Sequence, residues 1–191
     1  MTKYLMRKKI DLSLFNPERG LDRAKPLIFE ITWYLIKIVF FLSAFPWPNR
    51  VKTLILKFFG SKVGKGVVIK PRVNIHFPWK LVIGDNVWIG EEVFILNFEP
   101  LILGSNVCIS QRAFLCGGNH DYRDKSFRYR NGPIKIREGA WVGAQSFVGP
   151  KVIIGEYCVI TAGSVVTKDM PADMICRGNP CIPIKSRWKV K

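Results

Sequence analysis

The 191-residue chain is 48% hydrophobic and carries a formal net charge of +16, which suits one main domain with an appended segment. Residues 1–62 hold 12 Lys/Arg against 4 Asp/Glu, and residues 176–191 hold 5 against none. The basic character therefore sits at the two ends, and the basic stripe with interleaved aromatic platforms that a nucleic-acid binder needs is missing. Five cysteines, an odd number with no C-x-x-C pair, fit neither a disulfide framework nor a metal site and point to a reduced cytoplasmic setting.

Residues 1–60 form an apolar and basic segment expected to be helical. The stretch 27–47 includes LIKIVFFLSAF, but Glu30 and Lys37 interrupt it, each costing about 2.5–3.5 kcal/mol near a bilayer centre. Pro46 and Pro48 then end any helix, which disfavours a membrane span. Residues 49–59 predict a second, amphipathic helix with Val51, Leu54, Ile55, Phe58 and Phe59 on one side, Lys52 and Lys57 toward the other, and Gly60 as its stop. Two roles fit this segment: a cap over the open end of the following domain, or peripheral attachment to the inner face of the membrane.

From residue 61 to 175 an aliphatic residue recurs every six positions. The series is Val63, Ile69, Ile75; Ile83, Ile89, Ile95; Leu103, Ile109, Leu115; Ile136, Val142, Val148; Ile154, Ile160, Val166. Neither a 3.6-residue helix nor an alternating strand yields a sustained period of six. Two residues before most of these lies a second small or apolar residue, such as Val87, Ala113, Ser146 or Cys158, and Gly often follows, as at Gly84 and Gly143. Short strand, corner, short strand, three times over, closes an 18-residue triangular coil, so the expected fold is an all-β parallel β-helix of about five coils. The glycines are expected where a corner needs positive φ or close approach.

The period slips after Ile75, Ile95 and Leu115. Each slip follows the third turn of its coil, so the extra residues emerge at one corner and carry His76, Asn97 and His120 there. Irregular polar loops gathered on one edge of a rigid scaffold mark the candidate active site. The longest loop, 116–133, reads CGGNHDYRDKSFRYRNGP. An imidazole of ordinary pKa can accept a proton at physiological pH, which makes His120 the candidate general base. His76, two coils below and about 10 Å away by coil spacing, is read as structural, with Phe77 and Trp79. Whether a carboxylate such as Glu99 or Asp121 or a backbone carbonyl orients His120 stays open at this point. Residues 176–191 are expected as a basic tail.

The stretch from Asn97 through Cys116, Gly118, Asn119, His120, Asp121 and Tyr122 resembles the hexapeptide-repeat acyltransferases, in particular the colanic-acid-biosynthesis-type acetyltransferases. The resemblance implies a left-handed coil, acetyl-CoA as co-substrate with no metal, and a homotrimer in which the cofactor groove and the histidine loop meet between subunits. It assigns His120 as the catalytic base and Asn97 as an acceptor contact. Trp141-Val142-Gly143-Ala144 and the run from Thr161 to Pro171 resemble the family's coenzyme A groove, which implies cofactor contacts at Ala144, Ala162, Thr167 and Lys168, and at Lys185 after the Gly178-Asn179-Pro180 turn. Ile182 departs from the arginine common in relatives. The expected activity is O-acetylation of a sugar hydroxyl in exopolysaccharide or surface-glycan synthesis, on a free or lipid-linked acceptor. The alternatives are a small soluble acceptor such as serine or a xenobiotic, and a non-catalytic membrane-associated scaffold. A γ-class carbonic anhydrase needs three zinc histidines, and this chain has two histidines in all.

Overall fold

The computed structural model describes residues 9–188. Its centre is a three-sided prism of five complete coils. The first coil is β1 (Lys62–Val63), β2 (Val68–Ile69) and β3 (Asn74–Ile75); the second is β4 (Leu81–Ile83), β5 (Trp88–Ile89) and β6 (Phe94–Leu96). The third is β7 (Leu101–Leu103), β8 (Cys108–Ile109) and β9 (Phe114–Cys116), the fourth β10 (Ile134–Ile136), β11 (Trp141–Val142) and β12 (Phe147–Val148), and the fifth β13 (Ile153–Ile154), β14 (Val159–Ile160) and β15 (Val165–Val166). Every third strand pairs in parallel, which makes three flat sheets: β1-β4-β7-β10-β13, β2-β5-β8-β11-β14 and β3-β6-β9-β12-β15. The register stacks like on like, with Val68 on Trp88 and Ile69 on Ile89, then Ile89 on Ile109.

This stacking explains the period of six. The aliphatic column fills the prism; from Ile69 to Val166 each of its members is buried, and Val63 at the open end is only partly covered. The second column is buried with it, Val87, Val93, Ala113 and Cys158 being fully enclosed. An interior so narrow accepts no helix, and burial of both columns is what orders strands of two or three residues.

Of the two reasons expected for the corner glycines, close approach is the one that holds next to the aliphatic column. Positive φ falls on the third residue after the aliphatic, at Asn86, Glu92, Asn106, Arg112, Gln145 and Tyr157, with φ between 55 and 60°. The glycines next to the aliphatic column are there for contact with the coil above. A Cβ on Gly84 would lie 2.5 Å from Ser105 N, and one on Gly143 would lie 2.5 Å from Ala162 N.

Two helices close the first coil. Helix α1 (Leu27–Lys37) continues through a wider turn over Ile38–Leu42, and α2 is Asn49–Phe58. Trp33 Nε1 donates to the carbonyls of Ile75 and His76, at 3.1 and 2.9 Å. Lys52 Nζ donates to the carbonyls of Ile69 and Lys70, and Asn49 Oδ1 accepts from Ile69 N at 2.9 Å. These bonds satisfy main-chain groups that the first coil would otherwise leave open, so the capping role holds.

The expected orientation of α2 does not hold. Lys52, Leu56 and Phe59 face the prism, while Leu54 and Phe58 are exposed. Three-dimensional demand decided this: the carbonyl edge beneath α2 needs donors, and Lys52 supplies them at the cost of turning apolar residues outward. The basic tail is also corrected as far as residue 188. β16 (Met174–Gly178) starts a sixth coil on β14, and β17 (Cys181–Ser186) folds back on it antiparallel. Cys176 and Cys181 extend the inner column and are buried, Cys176 Sγ lying 3.6 Å from Cys158 Sγ. Residues 189–191 of the expected tail and 1–8 of the N-terminal segment lie outside the described residues.

Candidate active site

All three insertions leave the third sheet and re-enter the first, so they share one corner of the prism. The longest, residues 117–133, doubles back on itself. Arg130 N donates to Asn119 O at 2.7 Å, Asp121 N to Arg128 O at 2.8 Å and Gly132 N to Gly117 O at 3.0 Å. Two asparagines complete the fold: Asn119 Oδ1 accepts from His120 N at 2.8 Å, and Asn131 Oδ1 accepts from Asn119 N at 3.0 Å. His120 is thereby fixed by its own main chain opposite Tyr129.

The imidazole lies flat on Phe127, with ring centroids 4.4 Å apart, and packs against Tyr129 at 4.9 Å. Phe15, from the segment that precedes α1, closes on it edge-on at 5.3 Å. Nδ1 is 2.7 Å from the carbonyl oxygen of Phe127. A carbonyl only accepts, so Nδ1 donates, and in the neutral ring the lone pair lies on Nε2. That is the tautomer a general base requires. The orienting group is thus a backbone carbonyl; Asp121 instead accepts from Arg123 N at 3.0 Å.

Two of the clefts that adjoin this loop are lined by neighbours of His120. One, of about 380 Å³, is lined by Gly118, Asn119, Phe147, Gly149 and Thr167, with Arg130 and Lys151 as its cations. The other, of about 510 Å³, lies between the N-terminal arm and the loop and is lined by Phe15, Arg19, Asp124, Arg128 and Tyr129. Cys116 also borders the first cleft, but its thiol donates to Gly118 O at 3.2 Å, and burial pushes its pKa up. A protonated thiol is a poor nucleophile.

The other predicted residues disperse. Thr167 lines the first cleft and Lys168 is exposed beside it. Ala144 and Ala162 sit one above the other at the next corner, where the second sheet turns into the third, and Gly163 N donates to Ala144 O at 2.8 Å. Lys185 lies on β17 opposite Ile175, at the end of the second sheet. A single chain therefore does not bring Ala144, Ala162 and Lys185 to His120. Asn97 is 0% exposed, and both of its polar atoms bond the main chain of Phe77, at 2.9 and 2.6 Å. Its side chain holds the insertion one coil below in place, and neither polar atom is exposed on the surface of the single chain.

His76 behaves as the sequence suggested. Its ring packs on Phe77 at 4.5 Å and Phe98 at 4.9 Å, while Trp79 stacks on Phe77. Burial, with help from the Lys37 charge, lowers its pKa to about 4, so it stays neutral near pH 7. Sequence reasoning missed Phe15, Phe127 and Tyr129. The last two stand in the S-F-R-Y-R run of the loop, an available signal; Phe15 lies 105 positions from His120, and no local pattern reports such a contact.

Comparison with known proteins agrees with this architecture. Residues 133–168 match the family of bacterial transferase hexapeptides (six repeats). The chain is 36% identical over 177 residues to the colanic acid biosynthesis acetyltransferase WcaF of Escherichia coli (strain K12), an alignment covering 93% of this chain and 97% of that protein. A galactoside acetyltransferase solved with coenzyme A superposes with a TM-score of 0.75 at 26% identity, covering 84% of this chain and 81% of that one. A hexapeptide-repeat acetyltransferase of Vibrio cholerae solved with acetyl coenzyme A has the same fold, with a TM-score of 0.77 at 24% identity over 88% of this chain and 93% of that one. The coils and the histidine corner define a hexapeptide-repeat acyltransferase. Within that class, the chain belongs to the family of colanic-acid-biosynthesis-type acetyltransferases.

Proposed function

We propose that the protein transfers acetyl from acetyl-CoA to a sugar hydroxyl during assembly of an exopolysaccharide or other surface glycan. The observation that carries this reading is the Nδ1 to Phe127 carbonyl bond, which in the neutral ring puts the lone pair of His120 on Nε2. In the reaction, Nε2 takes the hydroxyl proton as the sugar oxygen attacks the thioester carbon. The C–S bond breaks, and the imidazolium returns the proton to the departing CoA thiolate. Backbone N–H groups at the coil edge stabilise the oxyanion. No covalent acyl-enzyme is needed.

The working enzyme is a homotrimer in this reading. His120 and Thr167 occupy one corner of the chain, Ala144 and Ala162 another. Packing the second corner of one copy against the first corner of its neighbour assembles both halves around the pantetheine arm, with Thr167, Lys168 and Lys185 as further cofactor contacts. Asn97 serves the acceptor side by holding the Phe77 turn. The acceptor glycan is carried by a membrane lipid and the enzyme works at the cytoplasmic face. Support comes from the exposed apolar surface of α1 and α2, which a small soluble acceptor such as serine would not call for.

The test is transfer of label from acetyl-CoA to a panel of free and lipid-linked oligosaccharides. His120→Ala is expected to lower the rate by about 10²- to 10⁴-fold while acetyl-CoA binding persists. Transfer by His120→Ala within twofold of wild type would remove His120 as the base, and absence of transfer by wild type to every acceptor would leave only the scaffold reading.

A further inference from the structure

The helical cap is amphipathic in reverse. Lys37 and Lys52 are 5% and 1% exposed, pointing inward with Trp33, Phe41 and Leu56. Of 21 exposed large apolar side chains among the described residues, ten lie between Leu27 and Phe58. Leu54 is 66% and Phe58 79% exposed, and Ile28 and Leu35 on α1 are comparably open. The groove between the helices, about 510 Å³, is lined by Ile36, Phe40, Leu54, Ile55 and Phe58. It joins the two helices into one apolar surface. Monomeric proteins leave so concentrated a patch exposed where something binds it.

Charge selects the occupant. The only acid between residues 27 and 65, Glu30, is bonded to Arg23 at 2.6 Å. Lys25, Arg50, Lys57 and Lys62 are exposed around the patch. An apolar face inside a cationic rim matches an anionic bilayer surface, where each basic side chain near the headgroups contributes about 1 kcal/mol. A second copy would bring two cationic rims together. The 16 residues of α1 and its wider turn reach about 24 Å, short of the roughly 30 Å hydrocarbon core, so the helix lies in the interface.

We propose that the outer face of α1 and α2 is the surface by which this enzyme docks on anionic phospholipid, through Ile28, Ile31, Leu35, Leu54 and Phe58 with Lys25, Arg50 and Lys57 at the rim. Docking there fixes the coil stack against the membrane by its first coil. His120 leaves the third coil, two spacings or about 10 Å further along the axis, within reach of a sugar close to a lipid carrier. This deepens, and rests on, the reading of the acceptor as membrane-borne.

Flotation with phosphatidylcholine vesicles, with and without one-quarter phosphatidylglycerol, tests it. Wild type is expected to float with the anionic vesicles, and Leu54→Glu/Phe58→Glu or Ile28→Glu/Leu35→Glu to bind them about tenfold more weakly. Both double variants change exposed positions and should keep wild-type melting temperature and wild-type transfer to a soluble oligosaccharide. Undiminished flotation of both, or no flotation of wild type, overturns the proposal. So does light scattering in which either variant breaks up an oligomer, because a second copy would then be the occupant. His120→Ala is expected to float like wild type, so a failed acetyl-transfer reading and a failed docking surface give different results.

Discussion

Two kinds of corner alternate around this prism. Where the first sheet turns into the second, and the second into the third, the chain uses four residues, sets the third in the left-handed region and repeats. Where the third returns to the first, one regular turn is kept, at residues 149–152, and three are replaced by insertions carrying His76, Asn97 and His120. The regular corners are held by contacts between coils, so an atom added at a glycine such as Gly84 or Gly143 is felt. The irregular corner is held by specific bonds, Asn97 to Phe77 and His120 to Phe127, so it can be built outward without disturbing the stack. A rigid repeat can host chemistry because the two jobs fall on different edges.

Substitutions separate the two kinds of corner. Ile95→Ala in the fully buried column is expected to cost about 2–5 kcal/mol in urea unfolding, whereas His120→Ala should be nearly silent in that measurement despite its effect on rate. Equal stability losses would mean that the loop is part of the cooperative core.

His76 tests how far the irregular corner is sealed. Its pKa is lowered from 6.5 to about 4 in the folded protein, so the unfolded chain binds a proton that the native state refuses as pH falls through this window. Stability from this group is full above pH 6.5 and declines toward pH 4, by a total of about 3 kcal/mol. Urea midpoints at pH 7, 5.5 and 4 should show His76→Gln losing less than wild type over that interval; parallel curves would place the ring in solvent.

The smallest contrast compares two glycines. Gly84→Ala puts a methyl 2.5 Å from Ser105 N, while Gly163→Ala meets nothing within 4 Å. About 1–3 kcal/mol is expected for the first by overpacking. The second pays only for its positive φ, 70°, at about 1 kcal/mol. A reversed order in thermal melts would show that corner conformation, and not coil spacing, limits the fold.

Much of this was readable in advance because the β-helix writes its geometry in sequence. The burial of Ile89, Ile109 and Val142 follows from their spacing alone, and the shared corner of His76, Asn97 and His120 follows from counting the slips. The role of Asn97 was not readable, since its partner is main chain one coil away and burial decides what its amide can touch. The same holds for the left-handed turn residues: Glu92, Arg112 and Tyr157 give no local signal for positive φ, and the closure of the coil imposes it.

The sequence by itself determined the coil, the corner at which it is interrupted and the histidine placed there, because a period of six has one packing solution and an interruption has one place to go. Only the tertiary structure decided which way α2 faces, which atom of His120 is free and that Phe15 closes on its ring. Each of these depends on a hydrogen-bonding need or a contact between distant segments, Lys52 with the Ile69 carbonyl, His120 with Phe127 and Phe15 with His120. Such needs arise only once the coils are stacked and their unsatisfied groups are in position.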